Sequence, residues 1–176
     1  MFSIEALDAA AIDHYHADLM ALLADVVNSG ASVNFIAPLA ESVALAFWQR
    51  VQAELHDNKR VVLAALTHDQ ARRQVVGCVH LAFAMQPNGS HRAELQKLLV
   101  HSQHRQKGIG SALMQAAEAA ARAHGKTLLV LDTERDSTAD ALYQKWGYVP
   151  AGVIPRYALN SSGTHLIDAV FYYKHL

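Results

Sequence analysis

The sequence predicts one mixed α/β sheet, mostly antiparallel, with a single parallel pair near its centre and about four helices around it. Three observations predict this fold. Apolar runs follow one another across polar turns at residues 60–66, 74–84 and 92–100, as the strands of a meander do. Two stretches of helical periodicity, residues 11–28 and 40–55, precede them. An alanine-rich helical stretch, residues 109–124, then stands between apolar runs at 92–100 and 127–132, and such a crossover makes the two flanking strands parallel.

In chain order, residues 2–7 alternate as a first strand. Across 11–28 the apolar residues Ile12, Tyr15, Leu19, Leu22, Leu23 and Val26 recur at helical spacing until Asn28-Ser29-Gly30 stops the helix. The connection GASVNFIAPL, residues 30–39, carries Val33, Phe35 and Ile36, so it either tucks against the core or lines a pocket. The helix at 40–55 contributes Phe47, Trp48 and Val51, and Asp57-Asn58 ends it. A hairpin folds about the polar turn 67–73, and Gln86-Pro87-Asn88-Gly89 turns the chain into the central strand. A short helix at 137–145 ends at Trp146-Gly147, and strands near 148–157 and 166–173 close the chain. With no internal repeat or linker, residues 1–176 read as a single domain.

Composition narrows the function classes. An apolar content of 52% and a net charge of −1 describe a globular chain rather than a basic nucleic-acid binder. No apolar run approaches the roughly 20 residues of a membrane helix, and the N-terminus has no basic flank before an apolar core; the expected setting is the cytoplasm. Cys78 is the single cysteine, so no disulfide framework exists, and its apolar strand suits a packed small hydrophobe. The 11 histidines are scattered without metal-ligand spacing, and no metal site is predicted.

Chemistry concentrates between His91 and Ser111. In the strand 92–100, period 2 puts Glu94 and Gln96 on one face with Leu98 and Val100. A carboxylate and an amide on a core face need partners, because burying either unpaired costs on the order of 1–3 kcal/mol. The loop Arg105-Gln106-Lys107-Gly108-Ile109-Gly110 follows, and Ser111 opens the long helix; such a loop aims bare N–H groups and a helix dipole at one point, which suits a phosphate. A dinucleotide fingerprint is the first rival. Leu113 stands where its third glycine belongs, and no further βαβ unit follows. The Walker A spacing is absent as well.

The pattern Arg105-x-x-Gly108-x-Gly110, after a strand and before a helix, resembles the acyl-CoA signature of the GNAT family of N-acetyltransferases. The run Ala139 to Tyr148, ADALYQKWGY, is similar to that family's second signature, AxxLYxxxGF/Y. ASVNF near residue 31, PNGSHRAELQKLLV, LDTE at 131–134 and FYYK near the end narrow the resemblance to the tabtoxin-resistance acetyltransferase branch, from which residues 105–109 and 151–164 depart.

The resemblance implies an acetyl-CoA cosubstrate, a small-molecule amine acceptor, and a monomer or homodimer. Backbone N–H groups of Gln106, Lys107, Gly108, Ile109, Gly110 and Ser111 would hold the CoA diphosphate, with Arg105 adding charge-assisted contacts. Backbone at Leu98, Leu99 and Val100 would pair with the pantetheine arm, and Ser137 and Asp136 would offer polar contacts. Ser32, Asn34 and Phe35 would line the acceptor site. Glu94 and Asp132 match carboxylates that take the amine proton, and Tyr143 matches the tyrosine that protonates the departing thiolate. An N–H near Leu99 or Val100 would meet the oxyanion. Structural readings stand beside these: Glu94 pairing with Arg92 or Lys97, Asp132 capping the turn before Ser137, Tyr143 as core, and Arg105 and Lys107 as solvated loop. Two other functions fit the same residues, an acyl-CoA-binding regulatory module and an acetyltransferase of protein termini.

Overall fold

The computed structural model describes residues 1–69 and 72–176. Its strands are β1 (Phe2–Leu7), β2 (Arg60–Asp69), β3 (Arg72–Phe83), β4 (Arg92–Val100), β5 (Leu128–Glu134), β6 (Val149–Leu159) and β7 (Leu166–His175). Its helices are α1 (Ala9–His14), α2 (His16–Asn28), α3 (Glu41–His56), α4 (Ile109–Ala123) and α5 (Thr138–Lys145). The sheet order is β1-β2-β3-β4-β5-β7-β6, antiparallel throughout except between β4 and β5. The mixed sheet with one parallel central pair is therefore as predicted.

Five helices stand where about four are expected, because the stretch 11–28 breaks at Tyr15 and starts earlier. Asp8 supplies the cause of the early start: its carboxylate accepts the Ala11 N–H at 2.8 Å and caps α1, a turn that hydrophobic periodicity does not reveal. In the first hairpin β2 and β3 run further than expected into the turn 67–73, and residues 70 and 71 of that turn lie outside those described.

Two cores sandwich the sheet. On one face α4 lays Ile109, Leu113, Met114, Ala117 and Ala121 against Leu63, Val79, Leu81, Ala93 and Leu95. On the other, α1, α2 and α3 bury Leu19, Leu22, Leu23, Phe47, Trp48 and Val51 over Val62, Ala64, Cys78 and Leu99. Each large aliphatic side chain buried this way contributes roughly 1.5–3 kcal/mol. Gly77 lets α4 close on the sheet, since a Cβ there would lie 2.9 Å from the Leu99 carbonyl oxygen and 3.2 Å from Ile109. Cys78 is wholly buried and its thiol is pushed up to about 12 by burial, so it is a packed hydrophobe and no nucleophile.

The central strand corrects the predicted alternation. β4 pairs with β3 as His80↔Gln96 and then Cys78↔Leu99, so Lys97 and Leu98 together oppose Val79 alone. This is a β-bulge, and Lys97 sits in it at φ +51°. One extra residue exchanges the faces of all that follow. Glu94 and Gln96 face the α1–α3 side, whereas Leu98 and Val100 pack with the α4 core and Leu99 crosses to the α1–α3 core. The amide of Gln96 has its partner there: Arg60 Nη1 donates to Gln96 Oε1 at 3.1 Å.

Candidate functional site

The site begins where β4 and β5 part. Their parallel pairing covers Arg92↔Leu128, Ala93↔Leu129 and Glu94↔Val130, and no pair follows. From Leu95 onward the β4 edge facing β5 carries no ladder, which leaves backbone groups free for an added strand. His101 N–H donates to Val76 O at 2.9 Å in β3, so strand alternation turns the N–H and C=O of Val100 toward the gap. Leu99, opposite Cys78, turns its backbone toward β3 instead. Val100, not Leu99, thus offers the gap-facing donor.

Below the gap lies the glycine loop. Asp25 of α2 braces it by accepting from the Ser102 N–H and hydroxyl, each at 2.7 Å. Burial opposes ionisation of Asp25, but these bonds, with His101 and Arg105 nearby, outweigh it and hold the carboxyl below the usual carboxylate range. Arg105 donates to Val100 O at 3.3 Å and to Ser29 Oγ at 3.1 Å, and Lys107 folds back to Gln103 O at 2.9 Å. Both cations therefore stiffen the loop. Gln106 at φ +61° and Gly108 at φ +80° then turn the chain into α4.

That helix starts without a side-chain cap, as α2 and α3 do, whereas Asp8 caps α1 and Ser137 caps α5. Among the described residues no acceptor meets the N–H groups of residues 106–111, the first intrahelical bond being Ala112 N–H to Gly108 O at 3.1 Å. A Cβ on Gly108 would meet nothing within 4 Å, so open space lies where the donors converge. Ile109 buries its side chain in the α4 core and offers backbone alone. Bare donors, a helix N-terminus and free space fit a diphosphate.

The predicted carboxylates come together beside this gap. Leu129 and Leu131 of β5 lie in the α4 core, which leaves Val130 and Asp132 on the opposite face, the face of Glu94. Burial and the Glu94 charge hold the Asp132 carboxyl above the usual carboxylate range, while the Lys97 ammonium pulls it down. Neither carboxylate has an ion-pair partner within 4 Å among the described residues. The turn before α5 is capped by others: the Asp140 N–H donates to Ser137 Oγ at 3.1 Å, and the Asp136 N–H to Asp140 Oδ2 at 2.8 Å. Asp132 is thereby free of the structural duty the turn would have given it. Ser137 spends one side of its hydroxyl on that cap and lines, with Asp136, Asp140 and Gln144, an open cleft of about 590 Å³. Glu94 lines a second cleft of about 450 Å³ with Arg92, Met85, Gln86 and Val130.

Tyr143 stands on α5 with its ring packed against Trp146 and Tyr148, each at 5.8 Å, on the α4 side of the sheet. Burial, with the Asp132 charge adding to it, pushes its hydroxyl well above the ordinary tyrosine range, so it keeps its proton. That hydroxyl has no hydrogen-bond partner among the described residues.

The side predicted to hold the acceptor is closed by two segments far apart in sequence. Phe35 meets Phe47 edge-on at 5.5 Å, Asn34 turns the loop at φ +65°, and Ser32 lies in the same connection. The β6–β7 turn reaches across to it, and the Ala37 N–H donates to Ser161 O at 2.7 Å. Sequence reasoning missed two features of this wall. Lys97 Nζ lies 5.5 Å from the Phe35 ring centroid and 5.9 Å from that of Phe47. Beneath it the buried Arg60 donates to Glu54, Gln96 and, at 3.2 Å, to Nδ1 of His80, which burial first and then the Arg60 and Lys97 charges keep neutral. The signal for the first was in the letters: Leu98-Leu99-Val100 breaks alternation, as a strand with a bulge must.

Among the described residues no cluster of three or more His, Cys, Asp or Glu side chains is placed to hold a metal. No helix described is long and apolar enough to cross a membrane. The fold is shared with an N-acetyltransferase of Staphylococcus aureus Mu50 (20% identity, TM-score 0.76, 99% of this chain and 98% of that one). It is shared too with the protein yncA of Salmonella typhimurium, solved with acetyl-CoA (19%, 0.74, 100% and 94%), and with a protein described as a phosphinothricin N-acetyltransferase (20%, 0.74, 100% and 99%). The sequence model of the acetyltransferase (GNAT) family matches residues 32–148, two thirds of the chain, from the Phe35 loop through the parting strands to Tyr148. The chain belongs to the GNAT family of acetyltransferases.

Proposed function

We propose that the protein is an acetyl-CoA-dependent N-acetyltransferase whose acceptor is the amine of a small, amino-acid-like molecule. The observation that carries this reading is the pair Glu94 and Asp132 on one face of the strands that part above a loop of unpaired N–H groups. The neighbour solved with acetyl-CoA supports the donor, and the neighbour described as a phosphinothricin N-acetyltransferase supports a small acceptor. The tabtoxin-resistance likeness of the sequence points the same way, toward a cytoplasmic role in disarming an amino-acid-like toxin.

Bound acetyl-CoA supplies an acetyl thioester. The N–H groups of 106–111 hold its diphosphate, the β4 edge left open beyond Glu94 pairs with its pantetheine arm, and the Val100 N–H, whose carbonyl is held by Arg105, donates to the thioester oxygen. Phe35, Asn34 and Ser32 hold the acceptor. An ammonium has no lone pair, so Glu94 or Asp132 first takes its proton, directly or through a water. The amine nitrogen then forms the N–C bond, the C–S bond breaks, the Tyr143 proton goes to sulfur, and the second proton that the nitrogen sheds returns through solvent to the Tyr143 oxygen. With Cys78 buried and protonated, attack is direct and no acetyl-enzyme forms.

The test is thiol release from acetyl-CoA with a panel of small amino-acid amines, β-lactam-bearing dipeptides and peptide N-termini. Turnover with a small amine is the expected result. Turnover with peptides alone would move the acceptor to protein, and binding without turnover on any amine would make the protein a regulatory module.

A further inference from the structure

We infer that Lys97 is a positioning residue for the proton acceptors: its ammonium, turned by the β4 bulge and seated on Phe35 and Phe47, is the counter-charge on the sheet face that carries Glu94 and Asp132. The inference rests on the reading of these carboxylates as the groups that take the acceptor's proton.

The geometry comes first. In an unbroken strand Lys97 would follow Ala93 and Leu95 onto the α4 face and drive an ammonium into that core. The bulge at φ +51° turns it to the other face, where its Nζ lies over two aromatic rings at 5.5 and 5.9 Å. Among the described residues no carboxylate lies within ion-pair distance of that Nζ and no oxygen accepts from it. A half-buried ammonium with its protons unclaimed acts at longer range.

Every charged or titratable group facing it can be named. From α3, Arg50 lies over Phe47 at 5.7 Å and repels it, while Glu54 is taken up by Arg60. From β2, Arg60 spends its donors on Glu54, His80 and Gln96. From β3, His80 is neutral and the buried Cys78 thiol keeps its proton, and from α5, Tyr143 stays protonated. There remain Glu94 on β4 and Asp132 on β5, the two groups that favour the charged form of Lys97 against burial and the two arginines. Asp132 is in the reciprocal position: burial and Glu94 favour its proton, and Lys97 opposes them. Besides a backbone hydrogen bond, Lys97 is the group that favours the ionised form of Asp132 against burial and Glu94.

The measurement is a carboxylate-carbon NMR titration of the free protein, with Asp132→Asn assigning the resonance. Lys97→Met raises the Asp132 midpoint, by about three- to tenfold tighter proton binding. Lys97→Arg keeps the wild-type midpoint, and Lys59→Met, which removes an exposed lysine paired with Asp57, leaves it unmoved. Lys97→Gln serves as a second neutral variant should the methionine fail to fold. A wild-type midpoint in either folded neutral variant overturns the inference. The titration needs neither acetyl-CoA nor an acceptor, so a failed acceptor screen and a failed role for Lys97 are separate results. With an acceptor in hand, Lys97→Gln also moves the acid limb of kcat to higher pH while leaving KM for acetyl-CoA unchanged.

Discussion

One strand, β4, has two unlike edges. Against β3 it is paired from Ala93 to Val100 with a single bulge, and that seam is buried between two cores. Against β5 it is paired for three residues and then open. The closed edge satisfies its backbone groups within the protein, and it holds nothing reactive: Cys78, its one nucleophile by type, is buried and protonated. The open edge leaves backbone groups unmet, and there the carboxylates, the tyrosine and the bare N–H groups ahead of α4 gather. Folding stability lives on the first edge, and the proposed chemistry belongs to the second.

The sharpest way to break this comparison is to remove the acids from the open edge. Glu94→Gln with Asp132→Asn is expected to lower kcat/KM by roughly a hundred- to ten-thousandfold with the fold intact, by steady-state thiol release. Asp132→Asn alone carries a pH signature. Because the folded protein holds the Asp132 proton more tightly than the unfolded chain, the ionised group costs stability as pH rises through the raised carboxyl value. The asparagine variant should therefore melt higher than wild type at neutral pH and lose that advantage in acid, below the ordinary carboxylate range.

Next in size is Gly108→Val. Room exists for the side chain, but φ +80° costs about 1–2 kcal/mol and the branched group fills the space ahead of the donors. Losing two charge-assisted bonds there should weaken acetyl-CoA binding about a hundredfold or more by calorimetry. Tyr143→Phe should reduce kcat roughly tenfold to a hundredfold with KM and melting temperature near wild type, since the hydroxyl holds no partner within the protein. The smallest effect belongs to the closed edge: Cys78→Ala should cost about 1 kcal/mol of stability by denaturant titration and leave acetyl-CoA affinity unchanged.

How far the letters reached differs between the same two edges. The strand and helix order, the parallel pair and the donor-rich loop were legible because each is local: alternation, helical spacing, and glycines before a helix start. The gathering of Glu94, Asp132 and Tyr143 followed from the family resemblance. Part of what escaped depended on residues distant in sequence, and part on a local break in alternation. Arg60 answers for Gln96 from 36 positions away, and no local pattern announces that pairing. The bulge reversed the expected faces of Leu98 and Val100, and it hid Lys97, which strict alternation sends to the wrong side of the sheet. The helix break at Tyr15 escaped for a different reason, since Ile12, Tyr15 and Leu19 keep their spacing across it.

Amide hydrogen exchange with and without acetyl-CoA tests the two-edge account most directly, because it reads both edges in one experiment. The expected result is strong new protection at residues 106–111 and at Val100, with the already protected amides of Cys78 and Leu99 unchanged. If acetyl-CoA leaves the amides of 106–111 and Val100 exchanging as in the free protein, the open edge is not where it binds, and the account is wrong.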